Sequence, residues 1–208
     1  MSTFPIRAMH PRTMLIRIVS LLLAGMLLSS CGINNIPTYE EQAKAAWSQV
    51  LNQYKRRSDL IPNLVETVKG FAAQEREVLT QVIEARAKAT QTTLSPEMLT
   101  DPAAVKAFQD SQAQLSSALS RLLVTVERYP ELRSSQNFLM LQDQLEGTEN
   151  RIGVARRDYI EAVRVYNTEL KTLPGSLWAQ FYHTGNEPLP TFDITEAEAA
   201  NPTVDFGN

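Results

Sequence analysis

Two glutamates in the second half of the chain have a spacing that could support acid–base chemistry. Glu146 and Glu149 are three residues apart, so they share a face if this segment is helical. Paired carboxylates can hold a metal ion or divide the roles of general acid and general base. They can equally form ion pairs with arginines of another helix, for which Arg86 and Arg121 are candidates. The polar cluster around the two glutamates also includes Asn150 and Arg151.

Metal binding and nucleophilic catalysis have few other side chains to use. The chain contains one cysteine and two histidines, and only His183 remains after residue 30. It has no cysteine cluster, no HExxH pattern and no phosphate-binding GxGxxG loop. His183 lies in an aromatic segment without a second histidine, which favours a surface or packing role. The sequence therefore predicts no catalytic residue, no cofactor and no metal site, and it favours structural pairing of Glu146 and Glu149.

The single cysteine, Cys31, has a context that predicts covalent lipid attachment. An apolar run from Ile18 to Leu28 ends in "LSSC", with small residues directly before the cysteine, which resembles a lipobox. The run is too short to cross a bilayer, which needs roughly 20 apolar residues. No acid occurs before Glu40, and three arginines precede or flank the run, as in a secretory signal: Arg7, Arg12 and Arg17. Residues 1–30 are therefore predicted to be a lipoprotein signal peptide.

Plain secretory cleavage and an uncleaved anchor are the alternatives to lipidation at Cys31. The signal could also start at Met14, which gives a more compact segment. The prediction is a periplasmic protein anchored in the cell envelope by its acyl chains. Gly32 carries no charge, whereas an aspartate after the cysteine would favour retention in the inner membrane, so the outer membrane is favoured over the inner one.

Composition limits the range of partners. Removal of residues 1–30, which contain three arginines and no acid, changes the net charge from −3 to −6. This acidic balance gives no basic patch of the kind that binds nucleic acid. The remaining length suits one domain with a real hydrophobic core.

Four segments have the apolar spacing of amphipathic helices. Pro62 disfavours helical geometry at Ile61, so the first helix either ends near Ser58 and Asp59 or bends there, which decides between four helices and three. The break is favoured, with a second helix that runs to about Ala89. The third segment starts at Asp101 and Pro102, a cap followed by proline at the first helical position, and the fourth runs to Pro174. Spacings that alternate between three and four residues favour near-parallel helix packing. The predicted fold is all-α, an elongated antiparallel four-helix up-and-down bundle over residues 38–174.

Segments with other properties flank the predicted bundle. Residues 31–37 contain turn-forming residues and are predicted to be a tether. Residues 175–208 are predicted to be an irregular tail, rich in aromatics and proline, that ends in a loose acidic segment. Four aromatic side chains of the tail are expected to pack on the bundle: Trp178, Phe181, Tyr182 and Phe192. Trp47 is expected in the core, and Gln112, Thr148 and Asn167 are interpreted as polar residues that fix helix register.

Two stretches are more specific than the helical pattern around them. "RRSDLIPNLVETVKG" at residues 56–70 and "LEGTENRI" at 145–152, with the closing "NPTVDF", resemble the LemA family of bacterial envelope proteins. The resemblance implies a helical bundle and membrane association, and it supplies no catalytic residues. Many relatives begin with a transmembrane helix, and this chain differs by its lipobox. The family also suggests, by association only, a membrane partner with a TPM domain.

The residues around Pro62 form the first polar cluster, and they have two interpretations. They can form a docking surface at one end of the bundle, or they can serve the helix junction, with Asp59 as the cap of the second helix. The pair Arg56 and Arg57 exceeds what a cap needs and favours a contact surface, although both could pair with Glu146 or Glu149. The cluster consists of Arg56, Arg57, Asp59, Asn63 and Glu66.

Three functions follow from these observations. The favoured one is a non-enzymatic, lipid-anchored helical scaffold that engages another envelope protein or associates with itself. The alternative is an enzyme or metal-binding bundle that uses Glu146 and Glu149. Remodelling of membrane curvature would need an exposed apolar face, which a single apolar stripe on each helix does not suggest.

Overall fold

The computed structural model describes residues 17, 20 and 32–192. Across this part of the chain there are six α-helices and no strand, which confirms the all-α fold class. The helices are α1 (Asn35–Phe71), α2 (Arg76–Gln91), α3 (Pro102–Val126), α4 (Pro130–Arg133), α5 (Gln136–Lys171) and α6 (Gly175–Phe181). A 3₁₀ turn at Pro96–Met98 lies between α2 and α3.

Helix α1 continues through Pro62, so the predicted boundary at Ser58 and Asp59 is wrong. Pro62 has no amide hydrogen to donate to the carbonyl of Ser58, four residues earlier. Arg86 on α2 replaces the missing donor, with its Nε 2.9 Å from the Ser58 oxygen. The Ser58 and Thr90 hydroxyls lie 3.1 Å apart beside it. A neighbouring helix thus satisfies the carbonyl that the proline leaves free, and the helix does not need to end there.

The chain instead reverses at residues 72–75, between α1 and α2. The amides of Ala72 and Glu75 bond to the carbonyls of Val68 and Ala72. The next predicted break is confirmed, because α2 ends at Gln91 and α3 begins at Pro102. The Asp101 carboxylate caps α3 as predicted, accepting a hydrogen bond of 2.9 Å from the amide of Ala103.

The long helices run antiparallel to their neighbours. Helices α1 and α5 pack against each other along their lengths, while the shorter α2 contacts α1 and α3. At one end Asn35 of α1 bonds to Glu169 of α5, at 3.1 Å. At the other, Tyr129 after α3 donates to Glu75 at the α1–α2 turn, at 2.6 Å. At 37 residues and about 1.5 Å of rise per residue, α1 is a rod of roughly 55 Å.

Apolar side chains form two clusters along this rod. The first surrounds Trp47 and lies between α1, the second half of α5, the start of α3 and the tail. The second surrounds Leu64 and Leu122 and lies between α1, α2, α3, α4 and the first half of α5. Helix α3 buries one side, from Val105 to Val126, as the amphipathic spacing of the third segment predicts.

Both predicted flanking segments contain helix. Helix α1 begins at Asn35, inside the predicted tether, and Ile36 is fully buried. Helix α6 occupies the start of the predicted irregular tail. Phe192 packs in the core as expected, whereas Phe181 and Tyr182 are exposed, so for these two side chains the packing prediction is wrong.

No helix within the described residues combines the length and the hydropathy needed to cross a membrane.

Candidate functional site

The apolar stripe of α1 carries one arginine into the bundle. Its buried positions include Trp47, Val50, Tyr54, Arg57, Ile61 and Leu64, which alternate in steps of three and four residues. Arg57 falls on this stripe, and only 2% of its surface is exposed. The stripe keeps its register across Pro62, so the sequence contained a signal both for the continuous helix and for the burial of Arg57.

The Arg57 guanidinium bonds to residues of two other helices. Its Nη1 lies 2.6 Å from Oε1 of Glu149 on α5 and 2.9 Å from the hydroxyl of Ser116 on α3. Its Nη2 lies 2.8 Å from Oε1 of Gln112, also on α3. The amide nitrogen of Gln112 donates in turn to the carbonyl of Ala89 on α2, at 3.2 Å. We call Arg57, Gln112, Ser116 and Glu149 the polar layer; it joins the four longest helices between the two apolar clusters.

Contacts around Arg57 offset part of the free-energy cost of burying its charge. The guanidinium carbon lies 5.1 Å from the centroid of the Tyr54 ring, in the range of a cation–π contact. The Glu149 side chain is 46% exposed, so water solvates one side of the ion pair. The buried Nε of Arg57 has no hydrogen-bond partner. Arg57 is therefore fixed in position by contacts with α3, with α5 and with Tyr54 of its own helix.

A groove of about 610 Å³ opens next to the polar layer, between α3 and α5. Arg57, Ser116 and Glu149 line it together with Arg156 and Phe192. The Ser116 hydroxyl donates to the carbonyl of Gln112 while it accepts from Arg57. Glu149 is engaged in the ion pair, so the polar groups here already bond to one another and are arranged for structural pairing of helices.

The predicted pairing of the glutamates with Arg86 or Arg121 is wrong. Glu149 instead forms an ion pair with Arg57. Pairing of Arg56 or Arg57 with one of the two glutamates was the alternative given for the arginines near Pro62. Arg86 bonds to the Ser58 carbonyl, and Arg121 lies 3.3 Å from the Ser117 hydroxyl.

The other members of the polar cluster around Glu146 and Glu149 lie on the outside of α5. Glu146 is exposed and accepts from Gln142 at 3.0 Å. Asn150 is exposed, and the exposed Arg151 donates to the buried Thr148 at 3.3 Å. Among the residues that the structure describes, no group of three or more His, Cys, Asp or Glu side chains is placed to hold a metal ion.

The first polar cluster lies in the middle of α1, so its predicted location at an end of the bundle is wrong. Asp59 is inside the helix and does not cap one. Arg57 is buried and cannot belong to an outer surface. The remaining four residues, at spacings of three, four and three, form one exposed stripe, which we call the α1 stripe: Arg56, Asp59, Asn63 and Glu66. Cys31, the predicted lipidation site, lies outside the described residues.

Sequence reasoning missed how the tail is held. Asn167 of α5 forms two hydrogen bonds with the backbone of Leu189, 2.8 and 2.9 Å long, in the manner of a paired strand. Phe192 then packs against Trp47 in a tilted arrangement and against Tyr159 edge to face, with both centroid separations 5.6 Å. The Tyr159 hydroxyl donates to the Pro190 carbonyl at 3.2 Å, and burial raises the pKa of Tyr159 above its usual range. Only the involvement of Phe192 was predictable, from its aromatic character.

The fold and the polar layer define an all-α bundle whose long helices are joined by an ion pair between a buried arginine and a half-exposed glutamate. The LemA family model matches residues 46–206, which is most of the chain, and the chain belongs to the LemA family.

Curated relatives of this chain include two magnetosome proteins. Magnetosome protein MamQ 2 of Paramagnetospirillum magneticum is 26% identical over 157 residues, which cover 68% of this chain and 58% of the relative. Magnetosome protein MamQ of Magnetospirillum gryphiswaldense is 25% identical over 188 residues, which cover 77% of this chain and 69% of the relative. The chain thus spans less than two thirds of the length of the first of these proteins. The family and these relatives support a LemA-type envelope protein.

Proposed function

We propose that this protein is a lipid-anchored member of the LemA family that acts in the bacterial envelope as a non-enzymatic scaffold for another protein. The observation that carries the anchoring is "LSSC" behind an apolar run preceded by arginines. Two or three acyl chains at Cys31 would give stable attachment, since a single chain binds membranes only marginally. The proposed location is the periplasmic face, with the outer membrane favoured because no acidic residue follows Cys31.

The arrangement of polar groups favours a scaffold over an enzyme. The ion pair of the polar layer joins helices, through the buried Arg57 and the half-exposed Glu149. Glu146, the other carboxylate considered for acid–base chemistry, accepts a hydrogen bond from the side chain one turn earlier. His183, the one histidine among the described residues, bonds to the carbonyl of Ile33 at the end of the bundle, so in this part of the chain neither glutamate has a histidine to share a proton with.

The α1 stripe is the proposed contact surface. Its residues are exposed, carry charges of both signs, and lie on the outer side of a long helix whose inner side is fully packed. Arg56 is suited to this role because the planar guanidinium can grip carboxylates of a partner. Family analogy suggests a membrane protein with a TPM domain as that partner, and self-association is the alternative.

Site-specific photocrosslinking in the native membrane tests this proposal. A photoreactive phenylalanine analogue replaces Asn63 in one variant and Asp143 in the control, because Asp143 is exposed on a different helix, α5. We expect a discrete crosslinked band from position 63 that Arg56→Ala weakens, and no such band from position 143. Equal crosslinking from both positions, or none from position 63, would argue against the α1 stripe as a contact surface.

A further inference from the structure

We propose that helix α6 and the residues that flank it rest on the lipid surface beside the acyl anchor. This inference rests on the proposed function, because it takes lipidation at Cys31 as its starting point. It assigns a role to an exposed apolar patch that the scaffold function does not explain.

The patch is formed by one face of α6 and its two ends. Leu173 is 75% exposed, Leu177 48%, Phe181 69% and Tyr182 67%. Leu177 and Phe181 are spaced by four residues and therefore follow one side of the helix, while Leu173 and Tyr182 lie in the segments that flank it. We call these four residues the α6 patch. Two of them are aromatic, and Tyr182 belongs to the residue types that are enriched where a bilayer meets water.

The opposite side of α6 fixes the helix to the bundle. Gly175 is buried, and a Cβ at this position would collide with the backbone oxygen of Glu169 at the end of α5. Trp178 and Ala179 pack against the first apolar cluster. The helix therefore has an inner side that contacts the protein, and the α6 patch is left on its outer side.

Residues directly after Cys31 lie beside both ends of α6. At one end, a Cβ on Gly32 would lie 3.5 Å from Cγ of Pro174. At the other, the ring Nε2 of His183 lies 3.0 Å from the carbonyl oxygen of Ile33. Since Gly32 is covalently joined to Cys31, acyl chains on Cys31 would enter the bilayer next to α6. This position selects a lipid surface as the occupant of the α6 patch.

The charges around the α6 patch indicate whether electrostatic attraction or apolar burial would bring it to the lipid surface. Lys171 and His183 lie close to it in sequence, but so do Glu169 and Glu187, so the described residues at this end form no cationic cluster to attract anionic headgroups. Contact must therefore come from burial of the apolar side chains, and it should form on zwitterionic lipid as well as on anionic lipid. Tethering by the anchor makes the contact intramolecular, which raises the effective concentration of the patch at the membrane.

The test uses the full-length acylated protein in phosphatidylcholine vesicles, with or without lipids that carry a nitroxide on the acyl chain. Cys31 is the only cysteine, so once it is acylated a cysteine introduced elsewhere is the only free thiol and takes a polarity-sensitive dye. The dye is placed at Phe181→Cys, and at Val124→Cys in the control. Val124 is 72% exposed on α3, close in sequence to Val126 of the second apolar cluster and so distant from α6. Intact mass establishes acylation, and circular dichroism establishes the fold, of each variant.

We expect blue-shifted emission and strong nitroxide quenching from position 181, and neither from position 124. Acylated protein with solvent-like emission at both positions would overturn the inference while leaving the anchor intact. Blue-shifted emission at 181 without nitroxide quenching would show that protein, such as a second copy, covers the patch, and would also overturn it. Absence of the acyl mass would instead overturn the proposed anchoring, and the inference would fall with it.

Discussion

A single charged side chain, Arg57, contacts residues on two other helices from inside the bundle. Buried ion pairs contribute little net stability compared with apolar replacements, but removal of one partner is costly. Their best-attested use is to fix the register of packed helices. Gln112 was interpreted as such a register residue from its position alone, and its bonds to Arg57 and Ala89 fit that role.

Removal of the Glu149 charge measures how strongly the polar layer depends on its ion pair. Glu149→Gln preserves the size of the side chain but leaves the buried guanidinium without its counter-charge. Because Glu149 is half exposed, we expect a loss of about 2 kcal/mol in the free energy of unfolding, below the usual cost of breaking a fully buried pair. Urea denaturation followed by circular dichroism measures this loss.

Glu146→Gln is the matched control for that measurement, since Glu146 is exposed on the same helix and accepts a hydrogen bond from Gln142 one turn earlier. We expect it to change the free energy of unfolding by no more than about 0.5 kcal/mol. Equal effects of the two substitutions would contradict the assignment of Glu149 to the polar layer.

Helix α1 contains a proline, Pro62, in its interior. Proline in a helix interior costs about 3 kcal/mol relative to alanine, partly offset by the lower entropy of the unfolded chain. We therefore expect Pro62→Ala, at an exposed position, to raise the free energy of unfolding by about 1–2 kcal/mol. Thermal and urea unfolding of the single variant measure the gain.

The contact between Arg86 and Ser58 gives this prediction a second readout. Arg86→Ala should destabilise the natural sequence by about 1 kcal/mol, because it leaves the Ser58 carbonyl without a donor. In the Pro62→Ala background the restored amide bonds to that carbonyl, so the cost should shrink. A cost that is the same in both backgrounds would show that Arg86 does not compensate for the proline.

Two aspartates distinguish a helix start from a helix interior. Asp101→Ala removes the cap of α3 and should cost about 1 kcal/mol. Asp59→Ala, which would cost as much if a helix began there, lies inside α1 and should cost less than about 0.5 kcal/mol. Chemical denaturation of both variants measures the difference, and a larger cost for Asp59 would indicate a helix boundary near Pro62.

The elements differ in how far the sequence alone predicts them. The buried side of α3 followed directly from its spacing, because no proline interrupts it after Pro102. Helix α1 was divided wrongly because the local preference of Pro62 was given more weight than the uninterrupted stripe on both sides of it. What satisfies the Ser58 carbonyl is a residue of another helix, and local sequence does not reveal such a contact.

The polar layer and the tail show the same limit. Glu149 was identified as a pairing residue, but the choice of Arg57 over Arg86 or Arg121 depends on how far each helix is shifted along its neighbour. Phe192 was expected to pack, whereas the bonds of Asn167 to Leu189 depend on the path of a segment without helical periodicity.

At the scale of the whole molecule, the two ends of the rod differ. One end carries the α1–α2 turn and the second apolar cluster. The other end brings together Asn35, Glu169 and α6. The chain enters this end at Gly32, directly after Cys31, the residue proposed to carry lipid. On this account the bundle stands on the membrane by α6 and presents the α1 stripe to a partner beside it.

Metabolic labelling with an alkyne fatty acid tests the central claim, lipid anchoring at Cys31, most directly. Cells that express the natural sequence or the Cys31→Ala variant are labelled, and the protein is isolated and coupled to a fluorescent azide. The account predicts strong labelling and recovery in the membrane fraction for the natural sequence, and loss of the label for Cys31→Ala. Labelling of the Cys31→Ala variant at the level of the natural sequence, or an unlabelled natural sequence, would contradict it.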